Sequence, residues 1–178
     1  GAALTEGFLA QKARVAFIGR SDASDFCSEM ERKYGNRPLF IQGDITDTTT
    51  LKASMVETAN AHGPITTLIN NAADDQRHST EEVTPEFWDW MIEVNLKAYF
   101  FACQTVLPQM QKAGFGSIIN FSSISYMMGN VGYPIYTACN SAINGLSRSL
   151  AREFGSDKIR VNSLAPGWVL TQKQKDLW

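Results

Sequence analysis

The residues of this chain that could do chemistry stand where apolar runs end. Asn70-Asn71-Ala72-Ala73 follows Thr67-Leu68-Ile69, Ser122-Ser123 follows Ser117-Ile118-Ile119-Asn120-Phe121, and Ala165-Pro166-Gly167-Trp168 follows Arg160-Val161-Asn162-Ser163-Leu164. Tyr136 comes thirteen residues after Ser123 and opens a helical pattern, and Asn95 lies inside another, in Val94-Asn95-Leu96. Hydroxyl, phenol and amide groups exchange hydrogen bonds, and a tyrosine can also carry a proton. Each has an ordinary structural reading when taken singly: Ser-Ser and Pro-Gly make turns, a mid-helix Asn bonds locally, and a tyrosine at a helix start packs. Metal chemistry finds no footing, because two histidines, His62 and His78, and three scattered cysteines make no ligand spacing.

The elements that must position these residues are legible as two alternating patterns. Helical spacing marks 4–11, then 23–34 up to Gly35, then 51–59 up to Gly63-Pro64. Thr84-Pro85 reads as an N-cap with proline in the first helical position, opening a helix that runs to about Lys112 before Gly114 and Gly116. A last helix spans about 134–154. Strand-like runs lie between them, at Val15-Ala16-Phe17-Ile18, Leu39-Phe40-Ile41, Thr67-Leu68-Ile69, 117–121 and 160–164. Strict alternation predicts an α/β fold, a doubly wound parallel sheet with helices on both faces in a single domain. The nearly continuous apolar strands predict burial on both faces. Ligands of such sheets bind beyond the carboxyl ends of the strands, where the polar residues gather.

Bulk properties bound the function. A chain of 178 residues, 44% hydrophobic and 19% charged, with net charge -2, reads as one ordinary soluble globular domain. Its Lys and Arg are spread out, which points away from nucleic acid and anionic membranes. No run approaches the roughly 18 apolar residues of a membrane span, and no basic-then-apolar leader opens the sequence. Cys27, Cys103 and Cys139 all fall in helical segments, so buried free thiols in a reducing cytoplasm are expected.

Order and spacing together say more than any one residue. Asn-Asn-Ala, Val-Asn, Ser-Ser, Tyr and Pro-Gly occur in the order and on the elements of the short-chain dehydrogenase/reductase family, which the chain resembles over nearly its whole length. The resemblance implies a Rossmann-type domain that moves hydride between a nicotinamide cofactor and an alcohol or carbonyl carbon. It makes Ser123 and Tyr136 the catalytic pair, with Tyr136 exchanging a proton with the substrate oxygen, and Asn95 a structural member of the site. It places cofactor against Asn70, Asn71 and Ala72, adenine near Asp44 and Ile45, and the nicotinamide beside Pro166 and Gly167, with Val169 and Thr171 at its carboxamide. Gly1-Ala2-Ala3-Leu4 resembles the last glycine of the family's phosphate-binding turn and the helix after it. The family's opening strand, most of that turn and its C-terminal part are thus expected outside the chain.

Departures from the family pattern carry their own expectations. Asn140 stands four residues after Tyr136, where the family has a lysine that holds the nicotinamide ribose and lowers the tyrosine pKa. An uncharged residue there implies slow turnover with an alkaline optimum, or a cofactor-binding protein with impaired catalysis. Ala73 replaces a family glycine. Lys12 occupies a post-helix position where the family often has glycine, and a left-handed backbone there would cost roughly 1 kcal/mol. The run after Ile18 reads Gly19-Arg20-Ser21-Asp22. With no acid at its head, and Arg20 able to pair with a 2′-phosphate, it favours NADP, while Asp22 leaves NAD open.

Substrate signals are the polar string Asp74-Asp75-Gln76-Arg77-His78 and the run Ser123-Ile124-Ser125-Tyr126. The string would suit a polyhydroxylated substrate, since hydroxyl specificity needs paired polar partners; a solvated loop is the alternative. Both runs resemble bacterial aldose dehydrogenases of the family, which oxidise sugars at the anomeric carbon. Asp75, Arg77, His78, Ser125, Tyr126 and Trp168 are therefore the candidate substrate contacts. The family resemblance also implies a homodimer or homotetramer formed through the two long helices, where Tyr99-Phe100-Phe101 supplies apolar surface.

Overall fold

Periodicity and breakers place the elements closely. The computed structural model describes residues 1–171 and 175. Helix α1 (Ala2–Ala10) leads to β1 (Ala16–Gly19), α2 (Ser24–Tyr34), β2 (Leu39–Gln42), α3 (Thr48–His62) and β3 (Thr67–Asn70). Then come α4 (Pro85–Ile92), a π turn at Glu93–Lys97, α5 (Ala98–Ala113), β4 (Gly116–Phe121), a short α6 (Ser125–Met128), α7 (Pro134–Phe154) and β5 (Ile159–Leu164). The boundaries have local causes. Thr84 Oγ1 accepts the Phe87 amide at 3.2 Å with Pro85 in the first turn, and Gly35 ends α2 in the left-handed region at φ 67°. Asp47 caps α3 through the amides of Thr49 and Thr50.

All strand pairs are parallel, and helices lie on both sides: α1 packs on α2, α3 on α5, and α7 against β4 and β5. The main core joins Ala102, Cys103, Val106, Leu107 and Met110 of α5 to Leu51 and Met55 of α3 and to Ile118, Ile159 and Val161 of the strands. All three cysteines are free and buried. The apolar stretch of α5 is mostly internal: Tyr99 is buried and Phe101 packs on the core, while Phe100 faces outward at 43% exposure.

Burial of the strands departs from the expected two-sided cover. The described strands form two sheets, β1-β2 and β3-β4-β5. Between them lies a cavity of about 1100 Å³, lined by Ala16, Phe17 and Ile18 on one side and by Leu68 and Ile69 on the other. β1 is only half-buried in consequence. In β4 and β5 burial alternates: Ile118, Asn120, Ile159 and Val161 face α5 and α7, whereas Arg160, Asn162 and Leu164 are exposed because no described residue covers that face.

Lys12 does adopt the left-handed conformation, at φ 62°. Its amide donates to Leu9 O at 2.8 Å and that of Ala13 to Phe8 O at 3.1 Å, the paired bonds of a Schellman ending. A side chain at this position opposes its own backbone. Lys12→Gly should therefore raise stability by about 0.5–1 kcal/mol, the relief of strain outweighing the extra unfolded-state entropy. Urea unfolding checks it; an unchanged or lower midpoint would contradict the argument.

Candidate active site

The candidate site is assembled at the carboxyl ends of β3, β4 and β5, which are held level by register and by a buried polar chain. Asn70 pairs with Asn120, and Asn120 with Ser163. The Asn70 side-chain amide donates to Asn120 Oδ1 at 2.9 Å, and Asn120 Nδ2 donates to Ser147 Oγ of α7 at 3.0 Å. Beyond the strands the pairing continues: the Ser122 amide donates to Leu164 O at 2.7 Å and that of Ile124 to Pro166 O at 3.3 Å. Ser123 and Pro166-Gly167 are thus fixed side by side before any ligand arrives.

Tyr136 projects from the first turn of α7 toward this corner. Burial pushes its phenol pKa up, and the charge of Asp75 and the neighbouring Tyr133 push the same way, while the Ser123 hydroxyl and the Asn140 side chain hold it down as hydrogen-bonding partners. The net shift is upward. The structure therefore brings Ser123 and Asn140 to the phenol as hydrogen-bonding partners, with the Asp75 charge near enough to act on it. Ser123 Oγ also accepts the Ser125 amide at 3.1 Å, which sets the start of α6.

Asn140 is 97% shielded, with 3% exposure, and offers no charge. Its Nδ2 donates to the Tyr136 backbone carbonyl at 2.8 Å. Its own carbonyl accepts Ser122 Oγ at 2.8 Å and Asn144 Nδ2 at 2.8 Å, tying the helix to the end of β4. No positive side chain among the described residues lowers the Tyr136 pKa.

Asn95 sits in the π turn, where the local widening of a helix frequently marks function. Its Nδ2 donates to Met91 O at 3.0 Å and its Oδ1 accepts the Asp74 amide at 2.9 Å, so it anchors the loop after β3. That loop then crosses to the segment before α7. The Arg77 guanidinium lies 3.8 Å over the Tyr133 ring, and the His78 amide donates to Gly132 O at 2.8 Å. His78 itself is buried, with both ring nitrogens engaged by backbone groups. Ser125 is buried with an unpartnered hydroxyl, Tyr126 is half-buried, and Trp168 is 68% exposed beyond β5. Of the candidate substrate contacts, Asp75 acts on the phenol through its charge, and Arg77 and His78 are set against the 131–135 segment.

The cofactor candidates line the same edge of the sheet. Gly1 opens α1 beside the β3 turn: a Cβ built on it would meet only Asn71 Nδ2, at 4.0 Å, and no side chain caps that helix end. Arg20 and Ser21 are exposed at the end of β1. Asp22 is taken up by Ser24, whose amide and hydroxyl donate to it at 3.1 and 2.6 Å and hold its carboxyl below the usual range. Asp44 and Ile45 follow β2, with Asp44 accepting the Thr46 amide and hydroxyl, each at 2.9 Å. Pro166 is half-buried, while Gly167, Val169 and Thr171 lie exposed past β5. These residues fit a dinucleotide laid along the strand ends. The 1100 Å³ cavity touches this edge at Gly1, Asn70, Asn71 and Ala72 but does not reach Ser123 or Tyr136; it is a gap between sheets, not the reaction cleft. No group of three His, Cys, Asp or Glu among the described residues could hold a metal.

Sequence reading gave no role to Asn120, Ser147, Ser122 and Asn144, which hold the site from below. Asn120 carried a signal, a polar residue in an otherwise apolar strand, which demands a buried partner. The other three look like helix-surface or turn residues until their neighbours are known.

Comparison with known proteins places this arrangement in a family. The short chain dehydrogenase family model matches residues 1–178. The chain is 42% identical over 180 aligned residues to a Rhizobium meliloti (strain 1021) protein named "Probable galactose dehydrogenase GalD", covering all of this chain and 70% of that protein. It is 38% identical to D-xylose 1-dehydrogenase of Caulobacter vibrioides, covering 98% of this chain and 69% of that one. A crystal structure from Sinorhizobium meliloti 1021, assigned as a short-chain alcohol dehydrogenase, superposes with a TM-score of 0.91 at 27% identity, covering 99% of this chain and 73% of that one. The chain belongs to the short-chain dehydrogenase family.

Proposed function

We propose that the protein oxidises an aldose at its anomeric carbon to a lactone, with NADP as cofactor. The observation that carries this is the meeting of Ser123 and Tyr136 as hydrogen-bonding partners at the sheet edge, beside the paired ends of β4 and β5. Named sugar dehydrogenases among the similar proteins support the substrate class. Arg20 with Ser21, and the engagement of Asp22 by Ser24, support NADP over NAD.

Gly1 would hold the pyrophosphate of the dinucleotide, Asp44 and Ile45 its adenine, and Asn70, Asn71, Ala72, Tyr136, Asn140, Pro166, Gly167, Val169 and Thr171 its ribose and nicotinamide. When bound, the nicotinamide supplies the hydride acceptor. Tyr136 takes the proton from the anomeric hydroxyl, and Ser123 holds the same oxygen by a hydrogen bond. Asp75, Tyr126 and Trp168 would meet the remaining hydroxyls and ring of the sugar, and Ser125, whose hydroxyl is buried, would support them from below. Holding the reacting groups in place replaces a bimolecular encounter. Three buried thiols suit a reducing cytoplasm, and Phe100 and Trp88, exposed near each other in sequence, suit a homodimer or homotetramer interface.

A panel of aldoses and secondary alcohols with NADP and NAD, from pH 7 to 10, tests the reading. Turnover of at least one aldose, faster with NADP, is expected; activity on simple alcohols alone would overturn it. A second reading rests on Asn140: a family member that binds dinucleotide but turns over poorly. Tight dinucleotide binding with no turnover anywhere in that pH range would select it.

Proton removal needs the phenolate, so the oxidation rate rises as pH approaches the Tyr136 pKa, which stands above its usual value near 10. An alkaline optimum follows. Asn140→Lys places a positive charge beside the phenol and lowers that pKa, raising neutral-pH kcat by about tenfold for each unit of the fall. Unchanged kcat in a folded variant that binds cofactor would contradict it. Asp75→Asn removes a charge that opposes the phenolate, so the rising limb of kcat against pH should move to lower pH even where KM for the sugar rises. A limb that stays put, or moves up, would separate Asp75 from Tyr136.

A further inference from the structure

We infer that His78 is a positioning residue for Tyr136, acting through the amino end of α7 and not by contact with substrate. The inference rests on the reading of Tyr136 as the proton-transfer group.

The first turn of α7 is short of acceptors. Its N-cap is Tyr133, which makes no side-chain capping bond, and its first helical residue is Pro134. The Ile135 amide is the next donor, one residue before Tyr136, and it lies in a buried stretch where water cannot serve it: Ile135 is 2% exposed. A helix end left in that state is destabilised. The acceptor comes from a distant loop. His78 Nε2 takes the Ile135 amide across 3.4 Å, a long bond between buried groups. The opposite nitrogen, Nδ1, faces the Gln76 carbonyl at 2.9 Å. A carbonyl can only accept, so Nδ1 carries the proton and Nε2 is left bare, the form a capping acceptor requires.

The ring is held in that pose from three further directions. Its edge meets Phe87 of α4, with centroids 4.9 Å apart. Its backbone amide donates to Gly132 O at 2.8 Å, and the adjacent Arg77 guanidinium covers Tyr133 at 3.8 Å. At the other end of the loop, Asn95 fixes the Asp74 amide at 2.9 Å. One five-residue loop therefore spans from the π turn to the helix that carries the phenol. His78, at 9% exposure, has both nitrogens committed and none left for a sugar hydroxyl.

The tests use variants that separate acceptor from ring. Gln places an oxygen near the Nε2 position; Phe keeps the ring and its edge contact but has no acceptor. His78→Phe is expected to lower kcat by roughly ten- to a hundredfold, with KM for sugar and dinucleotide within about twofold, because small misplacement of a reacting group costs on that order. His78→Gln should recover most of the loss. Amide exchange at Ile135 should quicken by about tenfold or more in His78→Phe and not in His78→Gln, as loss of a cap implies. In the unmodified protein, nitrogen NMR should show the Nδ1-protonated tautomer. A rise in KM for sugar with kcat intact in His78→Phe, equal Ile135 exchange in all three proteins, or an Nε2-protonated ring would overturn the inference. The tautomer and exchange measurements need no turnover, so they decide the capping role even where the sugar-oxidation reading fails.

Discussion

A buried chain of amide and hydroxyl groups, Asn70 to Asn120 to Ser147, fixes the relative height of everything at the site. It joins β3, β4 and α7 below the point where Asn71, Ser123 and Tyr136 project. Apolar contacts alone would let α7 slide along the sheet at small cost, since hydrophobic attraction has no direction. The amide chain has direction, and breaking it strands buried polar groups at about 1–3 kcal/mol each. It also pins register. A one-residue slip of β4 would carry Asn120 to the opposite face and Ile119 into its place. Ser123 would then turn away from Tyr136. The Cys103 thiol lies beside the same two asparagines, and burial raises its pKa to about 12, so it stays a neutral neighbour.

The framework was readable because each strand and helix obeys its own period and stops at a residue with a physical reason to stop it. Gly35, Thr84-Pro85 and the apolar runs needed no tertiary information. The π turn at Glu93–Lys97 was not readable, because helical spacing tolerates one extra residue without losing its apolar face. The half-cover of β1 was not readable either, since Ala16-Phe17-Ile18 looks the same whether its neighbour is a strand or a cavity.

The site divides along the same line. Ser123, Tyr136, Asn95 and Asn140 could be singled out from order and spacing alone, because those spacings belong to single elements or to successive strand ends. Arg77 and His78 could be found but not aimed. Their partners, Tyr133 and Ile135, are more than fifty residues away, and nothing local distinguishes a loop that faces a ligand from one that grips another loop. Ser147 and Asn144 were invisible for the same reason.

Tyr136 shows how far the geometry can go without charge. A proton-transfer group must sit out of bulk water to be held in place, and the burial that achieves this disfavours the phenolate. Ser123 and Asn140 return part of that loss by hydrogen bonding, but Asp75 and Tyr133 add to it. Asp75 lies in the loop that Asn95 and His78 hold against α7 through the Asp74 amide and the His78 ring. The anchoring of the loop therefore sets the position of residue 75 relative to the phenol, and the carboxylate it carries opposes the phenolate. The remedy is a positive charge on the side chain at position 140, which lies beside the phenol. A side-chain amide there satisfies the buried Tyr136 carbonyl without bringing a charge into a site of 3% exposure, while the bonds from Ser122 and Asn144 go to the backbone carbonyl of residue 140 and do not depend on its side chain. The sequence thus sets a well-satisfied helix turn against an easily ionised tyrosine, and at Asn140 the helix turn has prevailed.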